Sequence, residues 1–309
     1  MNHAESSLAS SSLITPTPAV CPVHSRWRLV LSIFKLRIGV LIMLTALAGM
    51  AIVPNGVVAS WQTLVLALSV LMASACAGAF NQYVEADSDR LMARTRGRAF
   101  ASGALQRGPR WLVLMLGMLI LAVAAAGLAT NWAAALFVLL GALTYAFVYT
   151  VWLKRRTPWN IVIGGAAGSF AVLAGAAAVD PQLGPQAWLL ALVLLLWTPP
   201  HFWSLAIANR DQYAAAGVPM LPVVVGPERA ARTVHWCTLL LVAVTLLPLG
   251  VGAGWAYGVA AVIGGVNFLR KTSALVREPV RARAMAAFFA SMVQLSVLIL
   301  GVWIDAALR

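Results

Sequence analysis

The sequence predicts an all-α membrane protein, a bundle of nine transmembrane helices with its N-terminus in the cytoplasm. Three observations support this fold class. The 309 residues are 61% hydrophobic and only 10% charged, whereas soluble domains carry roughly 25% charged residues. The apolar residues fall into nine runs, each close to the roughly 20 residues that a helix needs to cross a bilayer. The basic residues lie almost entirely on one side of these runs.

The nine apolar runs follow one another along most of the chain. They cover 30–53, 61–84, 109–129, 132–152, 159–179, 187–208, 233–250, 253–269 and 284–306. Lys35 and Arg37 interrupt the start of the first run, and we expect both side chains to extend toward the lipid headgroups. Close helix packing is expected at four glycines of the fifth run, Gly164, Gly165, Gly168 and Gly175.

The distribution of basic residues predicts the orientation of the bundle. Of the 22 Lys and Arg residues, 21 lie before or at the start of the first run, or in and directly beside the connections that follow the even-numbered runs, and only Arg309 lies on the other side. Cytoplasmic loops carry the excess of Lys and Arg in membrane proteins. The same rule accounts for the net charge of +13 without a nucleic-acid partner, because no basic run is interleaved with aromatic residues.

The chain is expected to form one domain with a short tail. Residues 1–24 are rich in Ser, Ala, Thr and Pro and contain no Lys or Arg, so they lack the pattern of a signal or transit peptide. We expect 1–24 to be disordered and 25–309 to form a single nine-helix domain. Cys21, Cys76 and Cys237 are too far apart for a CxxC pair, and they predict neither a disulfide framework nor a metal site.

Oxygen-bearing side chains stand at the end of the second run. Asn81, Glu85 and Asp89 follow at i, i+4 and i+8, so on a helix they share one face and rise about 12 Å. Polar groups at an embedded helix end are costly unless they serve a function, and Mg²⁺ prefers oxygen ligands in the company of phosphates. The alternative is a solvated helix end whose acids pair with nearby arginines. Asp87 points to the opposite face.

Basic side chains that suit phosphate follow closely. Arg94, Thr95 and Arg98 come within ten residues of the acids, and a guanidinium group binds phosphate oxygens in a bidentate manner. Lys154, after the fourth run, could reach the same diphosphate or could serve only as a membrane anchor. Positive-inside topology alone would explain the number of arginines equally well.

The sixth run supplies a third set of candidates. Asp211 follows its cytoplasmic end, where a neighbouring helix could bring it opposite Glu85 and Asp89. Within the run, Pro199 and Pro200 break the backbone hydrogen-bond ladder. His201 follows them directly, either as a packing residue with one hydrogen bond or as a functional group.

These segments, in this order over about residues 30–305, resemble the UbiA-type intramembrane prenyltransferases, and among them the branch that farnesylates haem. The resemblance rests on three motifs, Asn81-Gln-Tyr-Val-Glu85-Ala-Asp87-Ser-Asp89 with Arg94-Thr95-x2-Arg98, Leu153-Lys154-Arg155-Arg156-Thr157-Pro158-x-Asn160-Ile, and Pro200-His201-Phe202 with Asp211-x-Tyr213-x3-Gly217-x-Pro219-Met-Leu-Pro222. A second carboxylate commonly stands beside Asp211 in that family. Here the position is Gln212.

The resemblance implies transfer of a farnesyl group from farnesyl diphosphate to a vinyl group of haem b, which is the second substrate, with Mg²⁺ bound alongside the diphosphate. It implies metal ligands at Asn81, Glu85, Asp89 and Asp211. It implies catalytic cations at Arg94, Arg98 and Lys154. It implies substrate contacts at His201, Thr95, Tyr149, Asn160 and Tyr213. It further implies a lipid-embedded enzyme of the bacterial cytoplasmic (inner) membrane, with a haem A synthase or an oxidase-assembly protein as candidate partner.

Two other functions are open from the sequence. A UbiA-type enzyme could prenylate another acceptor, such as an aromatic quinone precursor, and would then not need His201. A transporter would bury its acids at the bilayer midplane and show internal repeats, whereas the acids here stand at the ends of the apolar runs.

Overall fold

The computed structural model describes residues 23–54 and 58–309. Apart from its last two residues, the tail predicted at 1–24 lies outside this range. The described residues form fourteen α-helices and contain no β-strand. The helices are α1 Val23–Ile33, α2 Leu36–Ile52, α3 Ser60–Val84, α4 Ala86–Arg90, α5 Pro109–Ala129, α6 Trp132–Leu143, α7 Asn160–Gly164, α8 Ala166–Val179, α9 Pro185–Ala208, α10 Arg210–Ala215, α11 Leu221–Val225, α12 Pro227–Thr245, α13 Trp255–Arg277 and α14 Arg281–Leu308.

The described residues contain up to nine membrane spans. Eight helical segments are long and apolar enough to cross a membrane, and the bent pair α1–α2 brings the number to nine when it is taken as one span. The other spans combine consecutive elements in three places, 132–153, 160–179 and 227–251. The predicted all-α, nine-span membrane fold is therefore confirmed. The largest shift of a single boundary is at α13, which ends at Arg277 rather than near residue 269.

The first span is broken rather than straight. Its two halves meet at an angle of 46°, and Lys35 lies at the break with a left-handed backbone (φ 49°, ψ 41°). Non-glycine residues rarely adopt this conformation. The break turns the chain so that the Lys35 side chain points into the bundle, as its contacts below show.

The outside of the bundle is apolar, as expected for a surface that meets lipid. On α5, for example, Val113 is 70% exposed and Ile120 is 61% exposed. Small residues line the helix contacts instead, because without a hydrophobic driving force between helices in lipid, close backbone approach supplies the packing energy.

Helices α2 and α8 approach each other closely at two glycines. A Cβ atom at Gly49 would overlap the carbonyl of Val172, and one at Gly175 would overlap the carbonyl of Ala46. The prediction of close packing at glycines of the fifth span is confirmed for Gly164, Gly165 and Gly175. It is wrong for Gly168, where a Cβ would meet nothing within 4 Å.

Two local irregularities prepare the site. Helix α9 runs unbroken through Pro199 and Pro200, so the proline pair removes two backbone donors without ending the helix. Helix α6 continues as a ten-residue π-helix, Thr144–Leu153. A π-helical segment changes which side chains face inward and is frequent at functional sites.

Candidate active site

Three oxygen-bearing side chains are buried where α3 meets α4. Asn81 is 2% exposed, Glu85 4% and Asp89 0%. The chain bends at Glu85, which ends α3 with φ −87° and ψ 2°, yet all three residues remain inside. Asp87 instead faces outward, where its carboxylate accepts two hydrogen bonds of 3.0 Å from Arg107.

Each buried carboxylate holds a cation from another part of the chain. Glu85 forms an ion pair with Lys154. Both oxygens of Asp89 accept from Arg98 Nη1, at 3.0 and 2.8 Å. A buried acid without such a partner would be strongly destabilising, so these two pairs explain how Glu85 and Asp89 are tolerated in an apolar bundle.

Lys35 is a third cation in the same cluster, and its predicted extension toward the headgroups is wrong. Its Nζ donates to Asn81 Oδ1 at 2.6 Å and to the Tyr145 hydroxyl at 3.3 Å. Asn81 in turn donates through Nδ2 to Thr150 Oγ1 at 3.0 Å. The bend between α1 and α2 makes these contacts possible. Arg37, by contrast, is exposed.

The π-helix presents the wall opposite α3. Tyr145 and Tyr149 stack with ring centroids 5.6 Å apart and planes 12° from parallel. Lys154 Nζ lies 5.6 Å from the centre of the Tyr149 ring. Gly164 leaves room for Tyr149, because a Cβ there would come within 2.7 Å of the tyrosine ring. Predicted residues Tyr149 and Lys154 therefore lie in one cluster with Glu85.

The connection between α4 and α5 (91–108) and the connection between α9 and α12 (209–226) meet at the edge of this cluster. The backbone N–H of Arg94 donates to Gln212 Oε1 at 3.3 Å. Gln212 thus connects the motif that contains Arg94 with the motif that contains Asp211. It stands at the position where UbiA-type enzymes commonly have a second carboxylate. Asp211 is exposed on the six-residue helix α10, and it forms no ion pair within the described ranges. Within the described ranges Asp211 does not form a three-residue metal cluster with Glu85 and Asp89.

The remaining predicted contacts take different places. Buried Thr95 donates to the backbone carbonyl of Asp89 at 3.1 Å and so braces the turn that carries this acid. Tyr213 is buried in the core around α9. Asn160 is fully buried, and its Oδ1 has no hydrogen-bond partner within residues 23–54 and 58–309. The pairing of Arg98 with Asp89 leaves Arg94 as the exposed arginine of the motif.

His201 lies deeper in the bundle, seven residues before the end of α9, which corresponds to about 10 Å along the helix. Its ring is stacked between Trp197 and Phe288, with centroids 4.1 and 4.6 Å away. Its Nδ1 lies 2.7 Å from Ser291 Oγ. The imidazole is therefore held on both faces and at one nitrogen.

The buried oxygen atoms of this cluster are of the chemical type that binds a hard divalent cation. Asn81, Glu85 and Asp89 offer amide and carboxylate oxygens, which Mg²⁺ prefers. Within the described part of the chain, however, no three acidic, His or Cys side chains converge as a ready metal cluster. The carboxylates are neutralised by Lys154 and Arg98 instead.

Sequence reasoning missed several members of the site. Lys35, Tyr145, Thr150 and Gln212 all contact predicted residues. A charged residue inside an apolar span is itself a signal of function, so Lys35 could have been identified. Arg155, which donates to Ser88 on α4, could not, because only the fold brings these two residues together.

The model of the UbiA prenyltransferase family matches residues 42–295. The chain therefore belongs to the UbiA prenyltransferase family.

Within this family, the chain is similar to curated proteins that are named protoheme IX farnesyltransferases. The chain is 54% identical over 274 residues to protoheme IX farnesyltransferase 2 of Paramagnetospirillum magneticum, a match that covers 89% of this chain and 95% of the relative. It is 46% identical over 280 residues to protoheme IX farnesyltransferase 1 of the same organism, covering 90% and 98%.

Solved structures share the fold. A digeranylgeranylglyceryl phosphate synthase structure superposes with a TM-score of 0.75 at 19% identity, covering 92% of this chain and all of that one. A UbiA homolog from Archaeoglobus fulgidus bound to DMAPP and Mg²⁺ gives a TM-score of 0.66 at 14% identity, covering 87% and 98%.

Proposed function

We propose that this membrane protein transfers the farnesyl group of farnesyl diphosphate to a vinyl group of haem b and so makes haem O. The observation that carries the proposal is the buried ion-pair cluster of Glu85, Asp89, Lys154 and Arg98 at one end of an apolar bundle. Similarity to the protoheme IX farnesyltransferases supports haem as the acceptor. The bundle has a charged end, which suits the diphosphate head of the substrate, and an apolar body, which suits its hydrocarbon tail.

The cation cluster would bind and neutralise the leaving diphosphate. In this proposal Lys154 and Arg98 exchange their carboxylate partners for diphosphate oxygens, and Arg94 adds a third cation from the exposed edge. Charges already in place in a dry site stabilise developing negative charge without reorganisation. The freed oxygens of Glu85 and Asp89, with Asn81, would hold Mg²⁺, which supplies further charge neutralisation at the diphosphate. Asp211 would have to approach from the exposed end of α10 to join them.

The transfer itself conserves atoms and charge. The bond between farnesyl C1 and the diphosphate oxygen breaks, and its electron pair leaves with the diphosphate. The terminal carbon of a haem vinyl group then bonds to C1. The cation that remains on the vinyl carbon next to the macrocycle takes a water oxygen and releases a proton, which completes the hydroxyethylfarnesyl side chain. The stacked Tyr145 and Tyr149 rings offer the allylic cation an electron-rich aromatic surface.

His201 is the residue we assign to the haem, as a ligand of its iron. Four further residues complete the proposed substrate contacts, namely Thr95, Tyr149, Asn160 and Tyr213. Thr95 also braces the turn that carries Asp89. We place the protein in the bacterial cytoplasmic (inner) membrane, with its N-terminus and basic loops in the cytoplasm and residues 25–309 as one catalytic domain. A haem A synthase or an oxidase-assembly protein is the proposed partner that receives the product.

An acceptor competition tests the assignment. Purified protein in lipid nanodiscs receives radiolabelled farnesyl diphosphate, Mg²⁺, haem b and an aromatic quinone precursor in equal amounts. We expect the label in haem alone. Label in the aromatic acid, with none in haem, would replace haem farnesylation by the alternative acceptor.

A further inference from the structure

The hydroxyl group of Ser291 makes two short contacts beside His201, and their geometry defines which atom is the donor in each. Ser291 Oγ lies 2.6 Å from the backbone carbonyl oxygen of Phe288 and 2.7 Å from His201 Nδ1. A serine hydroxyl has one hydrogen to donate and two lone pairs that accept. The carbonyl can only accept, so the hydroxyl hydrogen goes to Phe288.

The imidazole must then donate to Ser291. Because the hydroxyl hydrogen is already used, the short contact to His201 is satisfied only if Nδ1 carries a hydrogen. A neutral imidazole has one protonated nitrogen and one with a free lone pair. In this tautomer the lone pair is on Nε2. This nitrogen has no hydrogen-bond partner in the described part of the chain, and the residue is 7% exposed.

The ring is also prevented from turning away. Trp197 and Phe288 cover its two faces, and Phe202 meets its edge at 4.8 Å and 85°. Trp197 is fixed in turn, since its Nε1 donates to the backbone carbonyl of Ser291 at 2.8 Å. One residue of α14 therefore anchors both His201 and the aromatic ring stacked on it.

We propose that Ser291 is a positioning residue that holds His201 in the Nδ1–H tautomer and presents the Nε2 lone pair as the ligand for haem iron. Histidines that bind metal generally donate their other ring N–H to a fixed acceptor, which sets both the tautomer and the ring orientation. The tautomer follows from the geometry alone. The use of Nε2 on iron rests on the proposed function. Because iron and vinyl groups belong to one rigid macrocycle, a fixed iron ligand also restricts the positions that the reacting vinyl group can take.

The chain provides a matched control in the pair His235 and Thr272. His235 Nδ1 lies 3.0 Å from Thr272 Oγ1, which donates to the carbonyl of Leu269 at 3.2 Å. The hydrogen-bond pattern is the same, but the pair joins α12 to α13 rather than α9 to α14. Removing this hydroxyl tests the general cost of losing a partly buried histidine contact.

The first measurement uses the protein without haem. Nitrogen NMR of ring-labelled histidine, with the signal of His201 identified by its loss in His201→Gln, reports which nitrogen is protonated. We expect protonated Nδ1 and unprotonated Nε2 in the natural sequence, and a mixture of tautomers in Ser291→Ala. A protonated Nε2 in the natural sequence overturns the inference, whatever the protein catalyses.

The second measurement titrates haem b and records its absorption spectrum. We expect Ser291→Ala to weaken haem binding about 10- to 100-fold, Ser291→Thr to restore most of it, and Thr272→Ala to leave it unchanged. His201→Ala should remove the spectral signature of an imidazole ligand. Unchanged haem affinity in Ser291→Ala, with loss in His201→Ala, overturns the role of Ser291 but not the proposed function. A spectrum without imidazole ligation in the natural sequence overturns the proposed role of His201, while the tautomer stands on the NMR result.

Discussion

At the scale of single residues, the cluster at the end of α3 combines two roles in the same side chains. Lys154 and Arg98 keep Glu85 and Asp89 tolerable in the folded protein, and in the proposed reaction they bind the diphosphate. A neutral residue in place of Glu85 or Asp89 would therefore have two effects. It would leave the partner cation without its carboxylate in the folded protein, and it would remove a proposed metal ligand from the reaction.

Replacing Glu85 by Gln should lower the rate of farnesyl transfer by roughly 10²- to 10³-fold, the size of effect seen when one preorganised charge group is removed from an active site. The matched control is Glu278→Gln, which removes an exposed acid paired with Arg283. Turnover measured under saturating substrate is the readout, with size-exclusion chromatography as the check of folding. Equal turnover in the two variants would remove Glu85 from the mechanism.

Lys35 is predicted to belong to the reaction although it stands in the first span. Lys35→Met should reduce turnover at least tenfold, because it deletes the ammonium group that lies 2.6 Å from Asn81. Arg37→Met, two residues on and exposed, should retain turnover. A Lys35→Met enzyme as active as Arg37→Met would show that this contact is structural only.

At the scale of the elements, the packing of α2 on α8 joins the first span to the fifth. The contact depends on backbone approach at Gly49 and Gly175, where no side chain can be accommodated without separating the helices. Gly168, about two turns earlier on the same face of α8, has open space around it.

Gly175→Ala should therefore destabilise the protein by about 1–3 kcal/mol, as overpacking does in a tight core. Gly168→Ala makes the same gain in helix propensity, about 1 kcal/mol, without the clash. Thermal unfolding in detergent should show a lower Tm for Gly175→Ala and an equal or higher Tm for Gly168→Ala. Equal shifts in both variants would contradict close packing at this crossing.

Helix count and span boundaries could be predicted from the sequence because they depend on local composition, namely the length of apolar runs and the placement of basic residues. The bend at Lys35 and the π-helix over Thr144–Leu153 could not, because both are set by tertiary contacts that periodicity does not record. The acids at Glu85 and Asp89 were identifiable from their spacing. The pairing of Glu85 with Lys154 and of Asn81 with Lys35 could not be assigned, because these partners are remote from each other in sequence. The exposed position of Asp211 on α10 could not be predicted either, because it depends on how the connection after α9 folds.

At the scale of the whole molecule, the ends of the nine spans divide into a basic side and a side almost without charge. The account predicts that the basic side, with the ion-pair cluster, faces the cytoplasm. In a background without the three native cysteines, Gln182→Cys should react with a membrane-impermeant thiol reagent in intact cells. Gln106→Cys should react only after the cells are opened. The reverse pattern would invert the proposed topology.

The central claim is that one bundle joins a farnesyl group to haem. Its most direct measurement is mass spectrometry of haem recovered after the purified protein is incubated with haem b, farnesyl diphosphate and Mg²⁺ in oxygen-18 water. The account predicts a haem whose mass has increased by one farnesyl group and one hydroxyl, with the heavy isotope in that hydroxyl. It also predicts that Glu278→Gln makes the same product and Glu85→Gln almost none. Haem recovered unchanged by an enzyme that consumes farnesyl diphosphate on another acceptor would contradict it.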